Sequence, residues 1–290
     1  MSEGINNHMR RQPPIVTFGL RSASYFWRPA VCAVLLSAFL PPVSAQFIVS
    51  LQPETLGQYD HYLKTAVTPV DDQRIAGRRS FLWIDENPKI RERARKGEVV
   101  TTAITGKDGR SIPGGLVHDW VGAVFLPGVP LDRVRDFLQD QALHEKVYPE
   151  ITSARTVSRA DSTSITQVRM TKKKLLTVVL DVEYENSWES PGSDRWVLRS
   201  HTRKVAEVEE AGTPAEHAYP EDEGHGFLWR MNSLWRLRER DGGVWVELRV
   251  VSLSRDTPSS LGWIIRPIIR DFPSDSIEST LTGMRKALRG

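Results

Sequence analysis

Thiols are nearly missing from this chain, whose 290 residues include a single cysteine, Cys32. That excludes a disulfide framework, and it leaves no thiol for metal binding or nucleophilic catalysis anywhere else in the chain. Long apolar runs are also missing. The longest, Ala30 to Leu40, has eleven residues, against the ~20 needed to cross a bilayer, so a spanning helix is not expected. No Gly-x-Ser-x-Gly elbow, phosphate-cradling glycine loop or dinucleotide fingerprint occurs. The usual signatures of serine hydrolases, P-loop NTPases and nicotinamide enzymes are thereby absent. His144-Glu145 opens like a zinc-protease helix, but Tyr148 stands where the second histidine belongs. His217 and His225 lie among Glu216, Glu221, Asp222 and Glu223. They read as part of an acidic loop rather than as an ordered metal site, which needs supporting groups around its ligands. Neither a cofactor nor a metal is expected.

What is present begins with a leader. Arg10, Arg11, Arg21 and Arg28 precede the Ala30 to Leu40 run, and Pro41, Pro42 and the small-residue site Val43-Ser44-Ala45 follow it. That order is the layout of a secretory signal peptide, with cleavage expected after Ala45 and a periplasmic or secreted product; a retained N-terminal anchor is the alternative. The leader also distorts the charge. Taking its four arginines from 39 basic residues and Glu3 from 36 acidic ones leaves 35 of each. The net charge of +3 therefore gives no support to nucleic-acid binding. The remaining 245 residues suffice for one large core, and their pattern reads as a single α+β domain with an N-terminal addition.

Residues 46–113 read as a helical extension. Pro53 opens a pattern with Leu56, Tyr59, Leu63, Ala66 and Val67 on one face, and Pro69 is expected to end it. Asn87, Pro88 and Gly97 bracket a second helix carrying Lys89, Arg91, Arg93, Arg95 and Lys96. Such a helix is either a solvated surface or a peripheral contact with acidic headgroups of a membrane surface. The glycine-rich stretch Gly106 to Gly115 reads as a boundary, so a second unit is expected over 114–290. It starts with a strand, Leu116 to Leu126, and a helix after Pro130 that places Leu131, Val134, Leu138 and Ala142 on one face.

Alternating strands follow. Leu176, Val178, Leu180, Val182 and Tyr184 form one face of a run opposite Thr177, Asp181, Glu183 and Glu185. Trp196, Leu198, Ser200, Thr202, Ala206 and Val208 oppose Arg199, His201, Arg203 and Glu207. Asp241-Gly242 is a two-residue hairpin signal. With that pair as the turn, Leu237 faces Val246, Trp235 faces Leu248, Ser233 faces Val250 and Met231 faces Ser252, all on an apolar face. The opposite, solvated face would pair Arg236 with Glu247 and Arg238 with Trp245. After Pro258, Leu261, Ile264, Ile265 and Ile268 suggest a helix broken by Pro267 near Arg266. A last helix is expected from about Ser274, with a stripe of Ile277, Leu281, Met284 and Leu288.

The order strand, helix, antiparallel strands, C-terminal helix resembles the START-like superfamily, also called SRPBCC or helix-grip. The resemblance extends to exported bacterial members through Gly115-Leu116-Val117-His118-Asp119-Trp120-Val121-Gly122-Ala123, Tyr148-Pro149, Gly226-Phe227-Leu228-Trp229-Arg230 and Ser252-Leu253-Ser254-Arg255. It covers Gly114 to Leu288. It implies a curved antiparallel sheet wrapped around the long C-terminal helix, with a cavity between them for an apolar, lipid-like or aromatic small molecule. The lining expected from the inward faces is Tyr184, Trp196, Leu198, Thr202, Trp229, Met231, Ser233, Trp235 and Leu248, closed by Ile277, Leu281 and Met284. For each of these residues, ordinary core packing is the competing reading. Three functions remain open: a carrier, a cyclase or dehydratase acting in the same cavity, and an interaction module at an envelope surface. For an enzyme, the acid/base candidate is His118, with Tyr148 and Glu247 as helpers. A core or edge histidine held by a backbone carbonyl is the favoured reading of His118, since acid/base work needs several groups converging on one atom, and a non-enzyme is therefore expected.

Overall fold

A computed structural model describes residues 48–173, 177–256 and 262–289, and of 262–272 only the backbone. The leader with Cys32, Leu176, Pro258 and Leu261 lie outside the described residues, and the side chains of Ile264, Ile265, Pro267 and Ile268 are not described. The chain opens with β1 (Val49–Ser50), α1 (Pro53–Tyr62), a π-helical turn (Leu63–Val67), α2 (Thr68–Ile75), a 3-10 turn (Trp83–Glu86) and α3 (Pro88–Arg95). Next come β2 (Val100–Ala103), β3 (Arg110–Ile112), β4 (Gly115–Pro127), α4 (Leu131–Gln139) and α5 (Gln141–Val147). Strands β5 (Ile151–Arg159), β6 (Thr163–Lys173), β7 (Thr177–Gly192) and β8 (Arg195–Glu209) precede β9 (His217–Ala218) and β10 (Glu223–Gly224). The hairpin β11 (Arg230–Arg240) and β12 (Gly243–Arg255) leads to α6 (Gly262–Arg289). The principal sheet is antiparallel and runs β2-β4-β12-β11-β8-β7-β6-β5, with β3 on β4 and β9 on β8. This is an α+β fold, a large antiparallel sheet carrying a C-terminal helix on one face.

The hairpin has the register expected from Asp241-Gly242: Arg236 pairs with Glu247, Trp235 with Leu248 and Met231 with Ser252. Asp241 and Gly242 both adopt positive φ, 57° and 75°, as the two central residues of a type I′ turn require. One face of the hairpin joins a core with Val124, Val134, Phe137, Ile277, Leu281 and Met284. The other face is not solvated, which corrects the sequence expectation. There Phe125, Val197, Leu234 and Trp245 pack with Phe81, Leu82, Ile84 and Ala94 of the N-terminal segment. Nearer the β1 end, Val117, Val251 and Leu253 pack with Tyr59, Tyr62 and Val67. Residues 48–113 thus cover the outer face of the sheet, and through β2 and β3 they also extend its edge.

Burial of that face changes what its charges do. Arg236 Nε donates to Glu247 Oε1 at 2.9 Å and Arg236 Nη1 to Asp71 Oδ1 at 2.7 Å. Arg249 donates to both oxygens of Asp119, at 3.0 and 2.6 Å, and to Asp71 at 3.1 Å. Tyr62 hydroxyl adds a bond to Asp119 at 2.8 Å, and Glu247 also accepts the Ile84 amide at 3.2 Å. The five charged groups are nearly or wholly inaccessible. The expected cation over Trp245 is Arg240, 5.7 Å from the ring centre, rather than Arg238.

Prolines and one bulge account for the remaining differences. Pro69 does not end the first helix: it sits in the first turn of α2, where a missing amide hydrogen costs nothing, and the π-helical turn carries the chain into it. Likewise α6 is one helix of 28 residues running through Pro267 and Pro273, not a break followed by a new helix at Ser274. An interior proline costs ~3 kcal/mol. Burial of Ile277, Leu281, Met284 and Leu288, at roughly 1.5–3 kcal/mol for each side chain, outweighs it. In β8 the pairing passes from Tyr184–Thr202 to Glu183–Lys204, leaving Arg203 as an extra residue. The bulge flips the alternation, so Val205 joins Val178, Leu180 and Val182, and Glu207 shares its side rather than that of Arg199.

Replacing Arg249 with Met would leave Asp71 and Asp119 buried without that cation. We expect a loss of about 3–5 kcal/mol, as for other broken buried ion pairs, measured by urea denaturation. A loss below ~1 kcal/mol would show that water reaches the network.

Candidate functional site

The inner face of the sheet carries α6 on one side only, and a glycine sets where. A Cβ on Gly122 of β4 would lie 2.3 Å from Ile277 Cγ2 and 3.1 Å from Leu281 Cδ1, so only glycine lets the helix approach this closely. A second close seat lies at Gly283, whose added Cβ would meet the Tyr148 ring at 2.9 Å. With α6 held against β2, β4 and β12, space remains between its other flank and β6, β7, β8 and β11.

That space is a partly open cavity of about 230 Å³. Its sheet wall contains Val168, Met170, Tyr184, Leu198, Met231, Trp235, Leu248 and Val250, and its roof contains Pro273, Ser276, Ile277 and Thr280. Leu138, His144, Tyr148 and Ile151 close one end, and Leu228 contributes from the segment before β11. A polar row crosses the wall. Ser200 hydroxyl donates to Asn186 Oδ1 at 2.6 Å, and Asn186 Nδ2 donates to Thr166 Oγ1 at 3.1 Å. Lys172 and Glu150, 2.8 Å apart, also border the space.

Seven of the expected lining residues meet at this cavity: Tyr184, Leu198, Met231, Ser233, Trp235, Leu248 and Ile277. Trp196, Leu281 and Met284 lie in the adjoining core instead. Thr202 is turned to the backbone, its hydroxyl oxygen accepting from Met231 N at 3.0 Å. Trp229 is on the other side of the sheet, packed with Tyr59, Val251 and Leu253. Trp229 is a bend just before β11 begins at Arg230, so the alternation of the strand does not extend back to it, and Leu228 takes the cavity side. Sequence reasoning missed the contributions of α4, α5 and β6. Their signal was the apolar face Leu131, Val134, Leu138, which had to cover something.

His118, Tyr148 and Glu247 do not converge. Tyr148 borders the cavity, whereas Glu247 is on the opposite face of the sheet, engaged by Arg236 and the Ile84 amide. His118 is on the inner face, one strand beyond cavity-lining Ser252, its direct partner. Its ring is 1% exposed in residue terms and lies under Gly109, where a Cβ would come within 2.8 Å of it. Burial pushes its pKa down to about 4, against weak opposition from Asp108. His144 borders the cavity and donates Nε2–H to the Phe137 carbonyl at 3.0 Å, and burial lowers its pKa too. The loop histidine His225 is held by Glu207, with Nδ1 3.1 Å from Oε2. Among the described residues no cluster of three or more His, Cys, Asp or Glu side chains could hold a metal.

A histidine buried in its neutral form makes folding pH-dependent. Between its folded pKa of about 4 and its ordinary ~6.5, the unfolded chain binds the extra proton. Neutral burial of His118 therefore carries no protonation penalty above pH ~6.5, and stability is lost as pH falls towards 4, by up to about 3 kcal/mol. Urea midpoints measured from pH 7 to pH 4 should fall more steeply for the native chain than for His118→Leu. Parallel curves would show that His118 is hydrated or charged in the fold.

No protein-family model matches the chain, and no curated protein sequence matches it. Solved structures do resemble it. The STAR-related lipid transfer protein from Xanthomonas axonopodis is 16% identical, with 66% of this chain and 99% of that one aligned at a TM-score of 0.43. Human STARD10 is 13% identical over 70% of this chain and 79% of its own, with a TM-score of 0.40. The Zhui aromatase/cyclase from a Streptomyces species is 10% identical over 60% and 94%, with a TM-score of 0.41. The fold itself is read from this chain's own sheet order and from the helix seated at Gly122: an antiparallel sheet with a long C-terminal helix packed on one face.

Proposed function

We propose that this protein is an exported carrier for a compact, largely apolar small molecule, held between the sheet and α6. The observation that supports it is the cavity, walled by Trp235, Leu248, Val250, Leu198 and Met231, whose exposed surface is mostly apolar although polar side chains also border it. Its 230 Å³ exceeds the ~150 Å³ of an engineered protein cavity that takes benzene. It is below the ~300–1,000 Å³ common for drug-sized ligands. A medium-length acyl chain or a small ring system suits that space better than a large polycycle. The polar row Thr166–Asn186–Ser200 is internally satisfied, so it need not be paid for by the guest. Export rests on the leader, with Arg10 to Arg28, the Ala30 to Leu40 run and Val43-Ser44-Ala45.

Trp235 borders the cavity, so occupancy should alter tryptophan fluorescence saturably during titration with medium-chain alcohols and acids, small aromatics or sterols. Ser233→Phe, which fills the same space from the sheet, should abolish that signal while leaving the thermal transition in place. Absence of saturable binding by every class would overturn the carrier reading. For export, N-terminal sequencing of the protein from its native host should begin at Gln46. Recovery of only a full-length cytoplasmic form would refute it.

A further inference from the structure

Buried polar atoms in folded proteins almost always have partners, because leaving one unpaired forfeits its bonds to water. In this chain the exceptions gather. Neither ring nitrogen of His118, nor Trp120 Nε1, nor Ser254 Oγ has a hydrogen-bond partner among the described residues. All three residues are at least nine-tenths buried. The sheet register places them together on the inner face. His118 and Trp120 are two residues apart on β4, opposite Ser252 and Val250 of β12, and Ser254 is two residues beyond Ser252. His118 and Ser254 are thus diagonal neighbours on one face, a relation that sets side chains about 7–8 Å apart, within reach of long or aromatic groups. Ser252 and Val250 border the cavity, so the unpaired groups begin one strand past its edge.

We propose that this patch is the subsite for the polar end of the cavity's guest, and that this end is an uncharged oxygen, as in an alcohol or a ketone. The inference rests on the carrier reading above. The chemistry follows from the groups. A neutral imidazole offers one N–H donor and one bare acceptor nitrogen, the indole offers an N–H, and the serine hydroxyl does either. An oxygen placed among them collects donors that otherwise have none. A carboxylate or phosphate would satisfy the same donors, but it would be a buried charge. The charged group identified beside His118 is Asp108, an anion. The guest then lies with its oxygen near β4 and its apolar part over Leu248 and Trp235, towards Leu198 on β8.

Matched probes separate head-group recognition from simple hydrophobic uptake. Decanol, decane and decanoate should be titrated at pH 7 into the full mature chain, with His118→Leu and Ser254→Ala alongside. Decanol is expected to bind about tenfold more tightly than decane, the worth of one hydrogen bond, and more tightly than decanoate. Each variant should lose most of that preference with decane binding unchanged, and its unfolding midpoint at pH 7 should hold or rise, because an unsatisfied buried group has been removed. Ser254→Ala is nearly isosteric and carries the test even if His118→Leu fails to fold. Equal affinity for decanol and decane, or equal loss of both in the variants, would overturn the subsite and leave the carrier reading standing. No binding of any probe would overturn both.

Discussion

Burial of the central strands on both faces is the constraint from which the rest of this structure follows. Every described residue of β12, Gly243 to Arg255, is buried, so each side chain must either be apolar or find its own partner. On the outer face β12 carries the charged Glu247 and Arg249, and β11 brings Arg236 beside them. An unpaired ion at such a depth costs several kcal/mol, so the sheet cannot stand alone. The N-terminal segment supplies what is missing, namely Asp71 from α2, Tyr62 from α1 and the Ile84 amide from the 3-10 turn. It also brings Phe81, Leu82 and Ile84 to the apolar part of that face. A segment that looked like an appendage is thereby part of the domain's core.

The two faces then divide the work. Outside, aromatic packing and a satisfied charge network hold the strands in register. Inside, α6 is pinned on one flank by the Gly122 contact, and the sheet continues past it to β6 and β5. A single helix cannot cover a sheet of that width, since helices pack about 8–10 Å apart while each strand adds about 4.8 Å. The uncovered width is partly filled by α4 and α5, which bring Leu138, His144 and Tyr148 to the edge. What they leave is the cavity. It is thus a geometric consequence of where the helix is allowed to sit.

Much of this was legible in the residues. Asp241-Gly242 set the hairpin register, because only a two-residue turn with positive φ at both positions keeps the apolar set on one face. The stripe Ile277, Leu281, Met284 and Leu288 marked the helix that packs on the sheet. What misled was the habit of reading an alternating charge as a solvated one. The stretches Val244 to Leu253 and Val117 to Leu126 are nearly continuous apolar runs with isolated charges, and that is the pattern of strands covered on both sides. The pairing of Arg249 with Asp71, 178 positions away, has no local signature. Nor had the bulge at Arg203, which reverses the face of the rest of β8, or the bend at Trp229 just before β11. A face assignment by parity therefore held for Trp235, close to the turn, and failed for Trp229, past the strand's end.

The contrast between the two polar systems separates stability from recognition. On the outer face every charged group in the network is paired, and the network joins segments far apart in sequence. That is what a fold requires of buried polarity. On the inner face Asn186, Ser200 and Thr166 satisfy one another, while His118, Trp120 and Ser254 have no side-chain hydrogen-bond partner among the described residues. Leucine, phenylalanine and alanine at those three places would fill the same volumes and spare the cost of unpaired groups. Their polarity does nothing for the empty protein, because each unmet donor or acceptor counts against folding. It becomes favourable only when something else completes the bonds, so its place one strand from the cavity wall couples that completion to occupancy of the cavity.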